Sequence, residues 1–189
     1  MSQIATRLDK LKQLLSNSDF LANKGLSNEV GLYIFSYHPA EEMTVRHFID
    51  EFQSKKTCSN GEYRVVCFDL YDILLRICEE RRILDRIPQM EEQRGQAFMI
   101  KQIQKLAPPE AYIRYMQYND RQYGDVVFIS GVGRVFPYMR SHNILNNLQH
   151  VFDGIPVVLF YPGEYSGQDL QLFGKVFDDN YYRAFNLIQ

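Results

Sequence analysis

Apolar residues along this chain come in two rhythms. Ile4, Leu8, Leu11 and Leu15 recur at helical spacing and predict one apolar stripe on a helix over residues 3–16. Val45, Phe48, Ile49 and Phe52 repeat that spacing between Glu41 and Gln53, and Leu70, Ile73, Leu74, Ile77 and Cys78 begin another such helix. Short unbroken apolar runs separate the helices: GLYIFSY (31–37), YRVVCFD (63–69), DVVFIS (125–130) and PVVLFYP from Pro156. Runs of this kind read as strands covered on both faces. A further helix is expected over 91–106. Pro108-Pro109-Glu110 is a helix start, since proline is tolerated where the amide has no helical partner, and the segment to Tyr118 continues it. The glycine turn at Gly131 leads into a helix. Phe160 to Tyr165 reads as a proline-glycine turn flanked by aromatics, and GEYSGQDLQLFG as a loop with a short helix. YYRAFNL (181–187) reads as a terminal strand.

Strands alternating with helices predict an α/β fold, a three-layer α/β/α sandwich with a mostly parallel sheet of about five strands. It is Rossmann-like, or P-loop-NTPase-like in a degenerate form without a Walker A motif. Right-handed crossovers are expected. No repeat or low-complexity tract divides the chain, so 1–189 reads as a single α/β domain, with an N-terminal helix and connector over 1–28. The charge run EERRILDR (79–86) reads as a solvated helix end.

With 46% apolar residues among 189, the chain can bury an ordinary core without metal or disulfide staples. A net charge of −2 gives no overall basic field to draw in nucleic acid. DNA contact would need a local patch, with Arg81, Arg82 and Arg86 joining Arg134 and Arg140, inside a larger complex. Cys58, Cys67 and Cys78 are odd in number and form no Cys-x-x-Cys pair, which points to reduced thiols. The amphipathic, charged N-terminus lacks the apolar core of a signal peptide, and no run nears the ~18 apolar residues that span a bilayer. A cytoplasmic protein with no membrane contact is expected.

Ligands of open parallel sheets sit beyond the carboxyl ends of the strands, which gives three candidate junctions. The first, Ser36 to Thr44, stands where a phosphate loop would, but has neither glycine nor lysine. Its Glu41 and Glu42 suit the positive end of a helix dipole and would repel a triphosphate. At the second, Asp69 either caps the following helix or orients a metal or ribose. The third is SGVGRVFPYMRSHN. Gly131 and Gly133 permit a tight turn, and Arg134, Arg140, Ser141, His142 and Asn143 place cations and helix-start amides near it. These residues suit a phosphate or a partner's carboxylate. Equally, the glycines turn a corner and the cations pair with nearby acids. Position 136, where a dinucleotide fingerprint wants a third glycine, is Phe. His38 and His47 are nine apart and His142 and His150 eight, so no helical zinc pair exists. Gly-x-Ser-x-Gly is absent. No metal, cofactor or catalytic residue is therefore expected. Tyr161, Glu164, Tyr165, Tyr181, Tyr182 and Arg183 are candidates for a partner surface, since docking faces are enriched in Tyr and Arg. Packing of a terminal strand is the other use for such aromatics.

The blocks GLYIFSYHPAEEMTVRHFI, GVGRVFPYMRSHNILNNLQHVF, PVVLFYPGEYSGQDLQLFG and DDNYYRAFNL together resemble the BrxB family of bacterial BREX phage-resistance systems. The resemblance runs over about 30–188 and is looser over 54–120. It implies an accessory role in anti-phage defence. BREX systems combine a DNA methyltransferase, a large ATPase and the phosphatase-like PglZ, marking host DNA and blocking replication of unmarked phage. The resemblance makes other BREX proteins the expected partners, PglZ first and the ATPase BrxC second. It carries over no catalytic residues. The expected role is a non-catalytic interaction module, with nucleotide or phosphate binding at Gly131–Asn143 as the alternative and DNA contact as a second one.

Overall fold

Three of the four apolar runs fold as strands close to their expected bounds, and the fourth begins where expected but runs on to Tyr165. The computed structural model describes residues 3–23, 31–54, 63–167, 169–178 and 184–188. Helix α1 (Gln3–Leu14) and the short α2 (Ser18–Leu21) precede β1 (Leu32–Tyr37) and α3 (Glu42–Ser54). Strand β2 (Arg64–Asp69) leads into α4 (Leu70–Glu80), α5 (Ile87–Arg94), α6 (Gln96–Leu106) and α7 (Pro109–Met116). Strand β3 (Asp125–Ser130) is followed by α8 (Val132–Val135), α9 (Ser141–Val151) and β4 (Val157–Tyr165). The short strands β5 (Leu170–Leu172), β6 (Val176–Asp178) and β7 (Phe185–Asn186) complete the order.

The central order is β2-β3-β4-β1-β7, with every pairing along it parallel. Side chains on successive strand residues point to opposite faces, and each face has its own core. On one, Ile34, Ile129, Leu159 and Tyr161 pack under α4, α6, α7 and α9. On the other, Phe35, Phe128 and Phe160 pack under α1 and α3. Here Phe52 and Phe160 set their rings edge-on to Phe128 at centroid distances of 5.5 and 5.0 Å. The three layers follow from this two-sided burial. Strand β3, in the interior of the sheet, is buried along its whole length, whereas the edge strand β2 is half-buried throughout.

Four departures from expectation have local causes. Pro162-Gly163 is not a turn: β4 runs through it to Tyr165. Proline is tolerated because the ladder to β1 ends at Pro162. Gly163 is required because a Cβ there would overlap the Gln171 carbonyl, whose strand pairs antiparallel with the end of β4. The expected loop and short helix after it are instead the hairpin β5–β6, so the sheet has seven strands rather than about five. The helix expected after Gly131 is two helices, parted by Phe136-Pro137, because proline removes a donor and disfavours helical backbone before it. The helix expected over 91–106 begins earlier and is parted at Gly95. Of the terminal run, Phe185–Asn186 pairs with β1, while Tyr181, Tyr182 and Arg183 lie outside the described residues, as does Cys58.

At the amino end of the sheet, Arg64 and Asp125 face each other across β2 and β3. Arg64 donates Nε to Asp125 Oδ1 and Nη2 to Oδ2, both at 2.7 Å. The Tyr118 hydroxyl and the Gln122 amide donate to the same Oδ2. The Asp125 side chain is 0% exposed, so these bonds replace all of its water.

Burial, reinforced by Asp50, pushes the Cys67 thiol up to about 12. A raised thiol pKa means less thiolate at neutral pH, and the thiolate is the reactive form. Alkylation of Cys67 at pH near 8, followed on its own peptide by mass spectrometry, should be roughly a hundredfold or more slower in the native chain than in denaturant. Equal rates would contradict this half-buried placement beside Asp50.

Candidate functional site

Asp69 ends β2 and caps α4: its Oδ1 accepts from the amides of Tyr71 and Asp72 at 2.9 and 3.1 Å. Its Oδ2 accepts from the Ser130 hydroxyl at 3.0 Å and is paired with Arg134. Arg134 also lies over the Tyr71 ring at 5.2 Å and 3.7 Å from Asp72. Gly131 makes this possible. It sits at φ +78°, and a Cβ there would overlap the Asp69 carboxylate. The corner and the ion pair are thus one construction, a clasp tying the end of β2 to the turn after β3. Arg46, Asp50 and Gln53 of α3 face it across a cleft of about 140 Å³.

The remaining residues of the third junction belong elsewhere. Arg140 is exposed, and with Ser141 it lines a cavity of about 20 Å³ walled by Val132, Phe136 and Leu172. His142 and Asn143 are half-buried in the first turn of α9. Asn143 donates its amide to the Arg140 carbonyl, and its own carbonyl accepts from Asn147. Gly131 to Asn143 therefore open on two small spaces, not one. Small-molecule sites usually enclose roughly 300–1,000 Å³.

A larger cleft, about 830 Å³, lies at the carboxyl ends of β1 and β4. Topology explains it. After β1 the chain packs α3 on one face of the sheet, whereas after β4 it packs Leu170 and Leu172 of β5 on the other. Neighbouring strands whose connections leave over opposite faces part at their carboxyl ends, the switch point at which open sheets hold ligands. The cleft is lined by Arg7 of α1, Ser36, Tyr37 and His38 at the end of β1, Glu164 and Tyr165 of β4, and Phe173 and Lys175 of the hairpin. His38 Nδ1 accepts from the Ala40 amide at 3.2 Å, and the Tyr37 hydroxyl bonds the Glu42 carboxylate. Burial first, then that carboxylate, pushes the Tyr37 hydroxyl far above its ordinary range. Among the described residues, no three or more His, Cys, Asp or Glu cluster to hold a metal.

A family model described as BREX protein BrxB matches residues 66–187. A BREX protein BrxB of Bacillus cereus (strain H3081.97) is 42% identical over 193 residues, spanning 100% of this chain and 99% of that one. The chain belongs to the BrxB family. A BREX protein BrxB of Escherichia coli O9:H4 (strain HS) is 28% identical over 183 residues, 96% of this chain and 90% of its own. No solved structure matches significantly. This BrxB-family chain is accordingly a component of a BREX anti-phage defence system. No helix among its described residues is long and apolar enough to cross a membrane.

Two tyrosines expected on a partner surface of this BrxB-family chain lie inside the fold. Tyr161 is fully buried, lining the small cavity with Val132 of α8, and Tyr165 donates its hydroxyl to the Ala184 and Gly167 carbonyls. Their positions on a nine-residue strand, unread in the sequence, put them there. Glu164, between them, points out and is exposed. The exposed aromatics of this region are Phe173 and Phe177 on the hairpin, the latter 66% exposed. Spacing gave no sign of them: Phe173 fell in the segment read as a loop, and Phe177 in a stretch assigned to no element. Arg7 and Lys175 were missed for a different reason: they reach the cleft only through tertiary packing.

Proposed function

We propose that this BrxB-family chain is a non-catalytic accessory that works by contact with other BREX proteins, PglZ first and BrxC second. The observation that carries this reading is the clasp. The cation best placed for a phosphate, Arg134, is held by the chain's own Asp69, which already spends its other oxygen on capping α4. The exposed Phe173 and Phe177 supply what a docking face needs, large apolar rings at low entropic cost. Nucleotide binding at Gly131–Asn143, the competing reading, has spaces of only about 20 and 140 Å³ to offer.

Capture of the tagged chain from cells carrying the complete defence operon tests it. PglZ is expected in the eluate, with BrxC second. Phe177→Asp should reduce the capture by about tenfold, as loss of a central aromatic anchor does, without moving the melting temperature of the isolated chain. An eluate free of both partners would contradict the proposal. Arg134→Glu is a poor probe, since it would set a second carboxylate beside Asp69.

A further inference from the structure

We infer that the cleft between the carboxyl ends of β1 and β4 binds a small molecule carrying one oxyanion, a carboxylate or a phosphate monoester, on a flat apolar body. The position is the switch point of the sheet, and the volume of about 830 Å³ suits a small ligand. The charge comes from Arg7 and Lys175. Arg7 lies over the Phe35 ring at 4.8 Å, and its Nη2 donates to the Ile188 carbonyl at 3.0 Å. Its Nε is buried without a hydrogen-bond partner. No carboxylate among the described residues stands within ion-pair distance of it. A half-buried guanidinium with no ion-pair partner among the described residues is suited to taking an anion. Burial lowers its pKa, and Glu41 offsets this only through space. Lys175 is an exposed second cation on the hairpin side. His38 spends Nδ1 on the Ala40 amide, so in its neutral form Nε2 carries the hydrogen and can donate.

The same lining limits the ligand. Glu164 is part of the wall, and Glu41 stands close enough to act on Arg7. The loop after β1 offers no glycine cradle for a polyphosphate. A single oxyanion, carrying one charge as a carboxylate or about two as a phosphate monoester, fits where the three or four of a triphosphate would be repelled. Tyr37, Tyr165 and Phe173 give aromatic walls, and both tyrosine hydroxyls are already bonded within the protein. Phe173, 37% exposed, presents ring surface suited to a flat apolar body. The site shares Phe173 with the partner surface proposed above but not Phe177, and both of its cations lie away from Gly131–Asn143.

Calorimetric titration of the full chain at fixed ionic strength tests it, with benzoate as the carboxylate probe, AMP as the phosphate monoester, and adenosine and ATP as controls. Benzoate or AMP is expected to bind at millimolar concentration or below, whichever binds identifying the source of the oxyanion, and adenosine and ATP more weakly. Lys175→Glu, on an exposed hairpin, should weaken the bound probe by about tenfold, and Arg7→Gln likewise. Arg140→Gln, at the separate small cavity, should leave it unchanged. Failure of both benzoate and AMP to bind, binding indifferent to Lys175→Glu, or ATP binding more tightly than AMP would each overturn the inference.

Discussion

Asp125→Ala is expected to lose about 3 kcal/mol or more of folding stability, read as a lower midpoint in urea unfolding. The side chain is fully enclosed and accepts four hydrogen bonds, two from Arg64, one from Tyr118 and one from the Gln122 amide. Alanine leaves those donors facing a void that only water could refill. Breaking a buried pair from one side costs about 3–5 kcal/mol, because the surviving charge stays desolvated. Asp120 still holds Arg64 through Oδ2 at 2.6 Å, which places the effect toward the lower end. The loss is of register as well as of energy, since Arg64 and Asp125 are opposite residues at the entry of β2 and β3. A change under about 1 kcal/mol, the size of an ordinary surface effect, would contradict the enclosed placement.

Gly131→Val should be the second costly substitution, again about 3 kcal/mol in urea unfolding, and for two separable reasons. A β-branched residue at φ +78° is strained, by about 1–3 kcal/mol. Its Cβ also displaces the Asp69 carboxylate, putting at risk the cap on α4, worth roughly 0.5–2 kcal/mol, and the bonds to Ser130 and Arg134. Gly133 is the control. It lies within a helix, and the atoms nearest an added Cβ would be side-chain atoms of Phe173 and Pro162, at 3.0 Å. Gly133→Ala gains helix propensity against that pressure and should change stability by no more than about 1 kcal/mol. Equal costs at the two positions would mean that the pair acts as a unit and not as a corner.

These two glycines mark how far the sequence could be read. Three of the strands and the cap at Asp69 were legible because their causes are local: continuous apolar runs, and an acid beside a helix start. That the cations near Gly131 pair with nearby acids was one of two open readings, but Asp69 as the partner of Arg134 was not legible, since residues 65 apart meet only through the β2–β3 pairing. Strand order was not legible at all, and with it went the switch point, the cleft and Arg7. Pro162-Gly163 misled because the same dipeptide serves a turn or the end of a ladder, and only the neighbouring strand decides. That misreading carried Tyr161 and Tyr165 to the surface in expectation, where the strand's alternation and its hydrogen bonds bury them. Family membership was legible for the opposite reason: long blocks in fixed order identify relatives without any need to know what the residues touch.

The most direct test of the account is sedimentation velocity of the purified chain mixed with purified PglZ at micromolar concentration, without nucleotide. The account predicts a faster-moving complex that Phe177→Asp dissolves. Two boundaries sedimenting independently, with a complex appearing only when ATP is added, would contradict it.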